Sequence, residues 1–301
     1  MTQFEFDTVT ESRHLGDSPA ASIYAGYLHR RWAASGITLG GYMASVMMKV
    51  AMQRYPDRHP ISMNTFFVNP GTTGPFVVEV ETIKASSKGM CSFVIKLKQL
   101  KTVDSNTKPL DTLEAYDPQD YVIKNFAVIS LSGARPEQGI SQLLDPEHIY
   151  KPASSIEDMT ILAPACEGDV TLRMYQDMNK NDGRLHYAFE FADGRPVDNL
   201  AIVYFFDMYM DPFGSLNMKN SPEIRDSWKP TLQYEIQFKK PIKTPLRRAY
   251  LSYFVPNLIN GRWDMDGCLY GEDGELFATT RHQLRIIPRK KKQETATESK
   301  L

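Results

Sequence analysis

The stretch that most constrains the fold spans residues 38–55, where apolar residues recur at helical spacing around almost the whole circumference. Only Ser45, Lys49 and Gln53 form a narrow polar edge. A helix with so little polar surface is buried by other elements instead of lying on the outside of a domain. The pattern therefore predicts a buried helix over residues 39–55.

A glycine pair opens this helix. Gly40 and Gly41 lack β-carbons, so another group can approach the N–H groups of the first turn, which have no partners within the helix. One interpretation is close packing of a core helix. The other is a helix N-terminus that polarises a ligand carbonyl or holds an anion. This segment alone leaves both open.

The segments around the helix alternate apolar and polar residues, which is typical of half-buried strands. Residues 1–20 are predicted to form a leader with one short strand or none, and residues 21–32 a strand or loop entering the helix. The strands predicted after the helix are 61–68, 75–85, 90–100 and 121–131. The first half therefore combines one buried helix with four or five antiparallel strands.

A second apolar helix is predicted over residues 197–213, with Asp207 in its middle. Strand patterns precede it at 186–191 and follow it at 231–238, 246–255, 262–269 and 275–287. Four prolines mark residues 133–166 as a linker. The predicted organisation is an N-terminal unit (1–132), the linker (133–166), a C-terminal unit (167–288) and a disordered charged tail (289–301).

The two halves share an order of elements. In each, an apolar helix is followed by a proline-led strand that ends in Phe-x-x-Pro, at Phe67 to Pro70 and again at Phe238 to Pro241. This predicts an internal duplication of one α+β unit. Pairing two such units edge to edge gives one continuous sheet that can cover both helices.

Composition narrows the classes of function. The chain has 301 residues, 42% of them hydrophobic, and a formal net charge of -1, so it lacks the basic field of a nucleic-acid-binding protein. No apolar run is long enough for a membrane span. The sequence contains no G-x-S-x-G, Walker or dinucleotide-binding glycine motif, and no metal-ligand spacing. We expect neither a metal nor a cofactor.

Several motifs, taken in order, resemble one family. Trp32 precedes the Gly40-Gly41 helix, SMNTFFVNPG follows it, and the second half carries Asp207, TLQYEIQF and DGELFATTRHQ. This arrangement is similar to the double-hotdog acyl-CoA thioesterases, the type II group of bacteria and peroxisomes, over about residues 20–100 and 197–287. The resemblance implies an α+β double hotdog, with two buried helices each wrapped by an antiparallel sheet, and a homo-oligomer. It also implies hydrolysis of acyl-CoA to free acid and CoA.

The resemblance implies site residues one by one. Asp207 matches the carboxylate that activates water, and Thr231 matches its hydroxyl partner. The family usually has Gln in the third role, but here His282 occupies that position and Gln283 follows it. Strand neighbours point to opposite faces, and the face with His282 is the more apolar, so we expect His282 to point inward unless a bulge shifts the register. The expected substrate contacts are Gly40, Gly41 and Trp32.

Each of these residues also has an ordinary structural interpretation. Asp207 could face a polar loop, and His282 could be a core or rim histidine. Thr231 shares its face of the predicted strand with Gln233 and Glu235, so its pattern alone describes an ordinary strand threonine.

The sequence ends in Ser299-Lys300-Leu301, which matches the peroxisomal S-K-L address and follows a polar tail. It predicts a peroxisomal matrix location and binding by the import receptor. Two rival functions stay open. One is another hotdog chemistry, such as a hydratase, a dehydratase or a biosynthetic tailoring enzyme acting on a polyketide acyl-CoA. The other is a non-catalytic acyl-CoA-binding protein.

Overall fold

The computed structural model describes residues 3–102, 107–135, 139–141, 156–162, 172–178, 184–208, 224 and 227–288. The predicted tail 289–301 with its Ser299-Lys300-Leu301 address lies outside the described residues, as do most of the predicted linker and residues 209–213 of the second predicted helix.

The described residues contain the α-helices α1 (Glu5–Val9), α2 (Gly40–Arg54) and α3 (Asn199–Phe206). The prediction of α2 is confirmed almost to the residue. Residues 1–20 contain one short strand, Arg13–Asp17, as the prediction allowed, but the prediction missed α1, which buries Phe6 and Val9. The prediction for the second helix was wrong about Asp207, which is the C-cap of α3 and not its middle.

Strands make up most of the rest of the described chain. They are β1 (Arg13–Asp17), β2 (Ser22–Leu28), β3 (Ala33–Ala34), β4 (Ile37–Thr38), β5 (Pro60–Phe67), β6 (Gly74–Lys84), β7 (Cys91–Leu100), β8 (Tyr121–Leu131), β9 (Thr160–Ile161), β10 (Leu172–Gln176), β11 (Arg184–Phe191), β12 (Ser227–Trp228), β13 (Thr231–Phe238), β14 (Ala249–Phe254), β15 (Leu258–Ile259), β16 (Arg262–Tyr270), β17 (Leu276–Arg285) and β18 (Ile287–Pro288). Each predicted strand has a counterpart whose ends differ by a few residues at most.

One antiparallel sheet runs through both halves, in the order β1-β2-β6-β7-β8-β5-β13-β17-β16-β14-β11-β10-β9, with β15 paired to β16. The halves join where β5 pairs with β13, for example Phe66 with Gln233 and Ser62 with Gln237. The predicted edge-to-edge pairing of two units is therefore confirmed. β9 lies within the predicted linker and pairs with β10, so these linker residues extend the sheet of the C-terminal half.

The core lies between this sheet and the two long apolar helices. Residues 41–48 of α2 and 200–206 of α3 are all buried, which explains why the sequence of both helices is apolar nearly all round. The two helices also pack against each other. The fold is thus the expected α+β double hotdog. Within the described residues, none of the helices has both the length and the apolar character needed to cross a membrane.

Candidate active site

The start of α2 meets the end of α3, and the Asp207 carboxyl group lies at this junction. The N–H of Gly41 donates to Asp207 Oδ2 at 2.6 Å, and the Thr231 hydroxyl donates to Asp207 Oδ1 at 3.4 Å. Both bonds favour the charged carboxylate, and the N-terminus of a helix adds a favourable dipole. Three segments far apart in sequence therefore hold one carboxyl group.

The glycine pair permits this approach. A Cβ on Gly41 would lie 2.6 Å from Asp207 Cβ and 3.0 Å from the Tyr204 carbonyl oxygen, and a Cβ on Gly40 would lie 2.8 Å from the Phe67 ring. A side chain at Gly41 would push the end of α3 away, and one at Gly40 would displace the Phe67 ring. The N–H of Gly41, for which a substrate contact was predicted, is thus bonded to Asp207. The glycines therefore allow the helices to pack closely and also allow Asp207 to reach the start of α2.

Thr231 reaches the carboxylate because β13 carries a bulge. Thr231 pairs with Leu284 of β17, whereas Gln233 pairs with Gln283, so the register shifts between them. Directly opposed residues share a face of the sheet, and Leu284 is buried on the inner face. Thr231 therefore points inward, although simple alternation placed it on the outer face with Gln233.

The pKa of Asp207 is raised from its ordinary value to about 6. Burial is the largest cause, and the hydrogen bonds from Gly41 and Thr231 oppose it. The group is nevertheless partly accessible from the neighbouring cavity. A carboxyl group with this pKa is deprotonated at neutral pH and basic enough to accept a proton from a water molecule.

That cavity has a volume of about 530 Å³. Asp207, Thr231 and Gly40 contribute to its wall, and the other described residues that line it are Ala34, Ser35, Ile37, Thr38, Leu39, Met208, Trp228 and Lys229. Most of this surface is apolar, with one carboxylate and one ammonium group. Such a combination suits a carbonyl compound that carries an apolar chain.

His282 points inward, as its face of β17 predicted, and is fully buried. Its ring stacks on Tyr234, with the centroids 4.8 Å apart, and meets Tyr253 edge-on at 6.4 Å. Burial lowers the pKa of His282 to about 3, so the imidazole is neutral at neutral pH. Burial raises the pKa of Tyr234, and the charge of Asp207 raises it further. Tyr234 therefore lies close enough to sense that charge.

Two other predicted site residues lie elsewhere. Gln283 is on the opposite face of β17 from His282 and pairs with Asp264 of β16, so strand alternation turns it away from the carboxylate. Trp32 is 2% exposed and packs against aromatic residues of the core, with its Nε1 donating to Glu5 at 3.1 Å. The structure therefore brings neither Gln283 nor Trp32 to the Asp207 carboxylate.

Sequence reasoning missed the two tyrosines that surround His282. Tyr234 and Tyr253 are both almost fully buried, and their hydroxyl groups donate to carbonyl groups of α3. Buried phenols need hydrogen-bond partners, and that requirement is the signal that could have singled them out. Among the described residues, no group of three or more His, Cys, Asp or Glu side chains is arranged to hold a metal ion.

The fold and this site define a double-hotdog protein with a helix-terminal carboxylate. The family model of the acyl-CoA thioesterase N-terminal domain matches residues 28–100, and that of the acyl-CoA thioesterase C-terminal domain matches residues 152–286. Together these matches cover more than half of the sequence. The chain belongs to the acyl-CoA thioesterase family.

Solved structures agree on the fold. An acyl-CoA thioesterase II, TesB2, from Mycobacterium marinum has a TM-score of 0.63 at 15% identity, over 96% of this chain and 100% of that chain. A conserved protein of unknown function with a hot dog fold from Alicyclobacillus acidocaldarius has a TM-score of 0.70 at 14% identity, over 96% and 100%. The dehydratase domain of RzxB from Pseudomonas fluorescens has a TM-score of 0.56 at 10% identity, over 91% and 97%. A comparison with curated protein sequences gives no match.

Proposed function

We propose that the chain hydrolyses acyl-CoA thioesters to a free acid and CoA, with Asp207 as the base that activates water. The observation that carries this proposal is the position of Asp207 in the wall of a largely apolar cavity, with a pKa of about 6. Membership of the acyl-CoA thioesterase family supports the class of substrate.

In the proposed reaction, the Asp207 carboxylate accepts a proton from water while the water oxygen attacks the thioester carbonyl carbon. The carbonyl π electrons move to the oxygen and give a tetrahedral intermediate. When the carbonyl re-forms, the C–S bond breaks, and the leaving thiolate takes the proton from Asp207. General-base catalysis of this kind typically contributes about 10²–10⁴-fold to the rate. The Thr231 hydroxyl, bonded to Asp207 Oδ1, fixes the orientation of the carboxylate.

The negative oxygen of the intermediate needs a hydrogen-bond donor. Gly40 lines the cavity and is the first residue of α2, where N–H groups have no acceptor inside the helix. Its N–H is therefore our candidate donor, in place of the Gly41 N–H that binds Asp207. One such donor is typically worth about 10²–10³-fold in kcat.

The residues of the cavity wall also suggest where the acyl chain and the CoA portion of the substrate bind. Ile37, Leu39 and Met208 offer apolar contacts for an acyl chain. Trp228 is 40% exposed, and Lys229 beside it supplies a cation to the cavity wall. We propose that Lys229 faces the phosphate groups of CoA.

The proposal is tested by measuring thiol release from short, medium, long, branched and aromatic acyl-CoAs, for the wild type and for Asp207→Asn. The variant keeps the shape of the side chain and removes the base, so kcat should fall by about 10²-fold or more. Undiminished turnover in Asp207→Asn would exclude Asp207 as the base. Absence of thiol release from every substrate would exclude hydrolysis.

The same assay separates the rival functions. A dehydratase domain is among the structural neighbours, so dehydration is the first rival reaction to test. At 10% identity, however, the likeness concerns the fold alone. A dehydratase given a 3-hydroxyacyl-CoA would produce an enoyl thioester, seen by its absorbance, without free thiol. A binding protein would retain acyl-CoA tightly and release nothing.

We also propose a peroxisomal matrix location, import through a receptor, and assembly into a homo-oligomer. The location depends on Ser299-Lys300-Leu301 alone. A fluorescent protein fused ahead of residue 1 should enter peroxisomes, and deletion of these three residues should leave it outside. Light scattering coupled to size-exclusion chromatography measures the assembly.

A further inference from the structure

The end of α3 determines the position of Asp207, because Asp207 directly follows the last helical residue, Phe206. The last four carbonyl groups of a helix have no partner within it and must be satisfied from elsewhere. Two of them are satisfied by a tight backbone turn. Asp207 N–H donates to the Tyr204 carbonyl at 3.1 Å, and Met208 N–H donates to the Phe205 carbonyl at 3.0 Å.

The other two carbonyl groups are held by side chains of the sheet. The Tyr234 hydroxyl of β13 donates to the Val203 carbonyl at 3.3 Å, and the Tyr253 hydroxyl of β14 donates to the Phe206 carbonyl at 2.9 Å. Two strands thus hold the last turn of the helix in place. A shift of either phenol would move the residue that carries the carboxylate.

His282 contacts both phenol rings. It stacks on Tyr234 with an interplanar angle of 20°, and it meets Tyr253 at 83°. All three residues are at most 1% exposed. His282 also pairs directly with Tyr234 across the β13–β17 ladder, so backbone and ring contacts fix the same neighbours. The imidazole therefore contacts both residues whose hydroxyl groups hold the end of α3.

Gly267 of β16 leaves room for this arrangement. It pairs with Tyr253, and a Cβ on Gly267 would lie 2.6 Å from the Tyr253 ring and 2.8 Å from Thr280 Cγ2. The absence of a side chain leaves the space that the phenol ring occupies. The Tyr253 ring thus contacts His282 and occupies the space beside Gly267.

We propose that His282 is a positioning residue, which acts through its ring contacts with Tyr234 and Tyr253 to hold the end of α3 and hence Asp207. It does not need to touch the water or the thioester. A flat ring at this position is the required property, and hydrogen bonding by the imidazole is not. This inference rests on the proposed role of Asp207 and differs from a direct catalytic role for the third residue.

The discriminating pair of variants is His282→Phe and His282→Leu. Phe keeps a flat ring against Tyr234, while Leu is apolar and of similar bulk without a ring. We expect His282→Phe to retain kcat within about threefold, and His282→Leu to lose about 10–10²-fold in kcat with KM little changed, since small displacements of a catalytic group are costly. Thermal unfolding of each variant controls for stability.

The pH profile supplies a second readout. Gly41 N–H, the Thr231 hydroxyl and the neighbouring Tyr234 surround Asp207, and Lys229 lines the same cavity. If His282→Leu displaces Asp207, the lowering effect of the Gly41 bond weakens and the acid limb of kcat/KM moves to higher pH. His282→Phe should keep the wild-type limb. If His282→Leu fails to fold, Tyr234→Phe removes one helix-capping hydroxyl with little change of volume and should move the limb in the same direction.

Equal losses in His282→Phe and His282→Leu, with an unmoved acid limb, would mean direct action of the imidazole and would overturn the inference. The inference would also be overturned if His282→Leu kept the wild-type kcat and acid limb. The same holds for Tyr234→Phe if that variant has to replace His282→Leu. Carbon NMR of labelled aspartate, assigned with Asp207→Asn, follows the pKa of Asp207 without turnover. If the pKa of Asp207 moves in His282→Leu and not in His282→Phe, the positioning role is supported even when the wild type releases no thiol. Absence of thiol release would contradict only the proposed function.

Discussion

Gly41→Ala tests the junction between the two helices most sharply, because the structure fixes what the added methyl group would meet. It would lie 2.6 Å from Asp207 Cβ and 3.0 Å from the Tyr204 carbonyl oxygen. Neither is the free end of a flexible side chain, so the end of α3 must move by about 1 Å to restore ordinary contact. A displacement of that size at a catalytic group costs about 10²-fold in rate.

The same shift lengthens the bond from Gly41 N–H to Asp207 Oδ2, now 2.6 Å. That bond lowers the pKa of Asp207, so its loss should raise the pKa and move the acid limb of kcat/KM above the position near pH 6 that we expect for the wild type. Overpacking should also cost about 1–3 kcal/mol of unfolding free energy. Thiol release measured from pH 5 to 8 and denaturant unfolding give all three quantities.

Two further variants grade the effect. Gly40→Ala meets mainly the edge of the Phe67 ring, at 2.8 Å, which can turn aside more easily than a backbone. Gly139→Ala meets no atom within 4 Å and serves as the matched control. We expect kcat to fall in the order Gly139→Ala, Gly40→Ala, Gly41→Ala. Wild-type kcat and acid limb in Gly41→Ala would refute the close approach of Asp207 to α2.

Other predictions concern the neighbouring groups. Thr231→Val keeps the shape but removes the bond to Asp207, so kcat should fall about 10-fold and the acid limb should rise, as a pH series of thiol release would show. Asp207→Asn should be more stable than the wild type at pH 7.5 by about 1–3 kcal/mol, and the advantage should vanish at pH 4, as measured by urea unfolding. The pKa of about 6 in the folded state exceeds the unfolded value, so the wild type loses stability as the pH rises from the unfolded value through about 6 and regains it on acidification. Trp32→Phe should leave KM unchanged and lower the free energy of unfolding by about 1–3 kcal/mol, because the smaller ring leaves a cavity in the core and the bond to Glu5 is lost. An increased KM would instead indicate that Trp32 contacts substrate.

Much of the fold was predictable because its signals are local. The apolar circumference of α2, the alternation in β6 and β7, and the repeated Phe-x-x-Pro strand each follow from neighbouring residues. Edge-to-edge pairing of β5 with β13 then follows from the need to cover both helices. The helix α1 was missed because it has only one turn, and its partners lie far along the chain, such as Arg195, whose Nε donates to Asp7 at 2.8 Å.

The site was less predictable, because its geometry depends on long-range contacts. Asp207 and Thr231 came from the family resemblance, and no local pattern announces the bulge that turns Thr231 inward. The hydroxyl groups of Tyr234 and Tyr253 bind carbonyl groups in the last turn of α3. The apolar pattern of the sequence continues past Phe206, so it could not reveal where the helix ends. The choice of His282 over Gln283 for the inner face did follow from alternation, because β17 is regular there.

The most direct test of water activation by Asp207 is a single turnover in H2¹⁸O with enzyme in excess over acyl-CoA. Direct attack by water predicts that the ¹⁸O label enters the released acid in the first turnover, and that the peptide containing Asp207 stays unlabelled. If the carboxylate instead formed an anhydride that water opened at the Asp207 carbonyl, the label would appear in that peptide and not in the acid. That result would contradict the account.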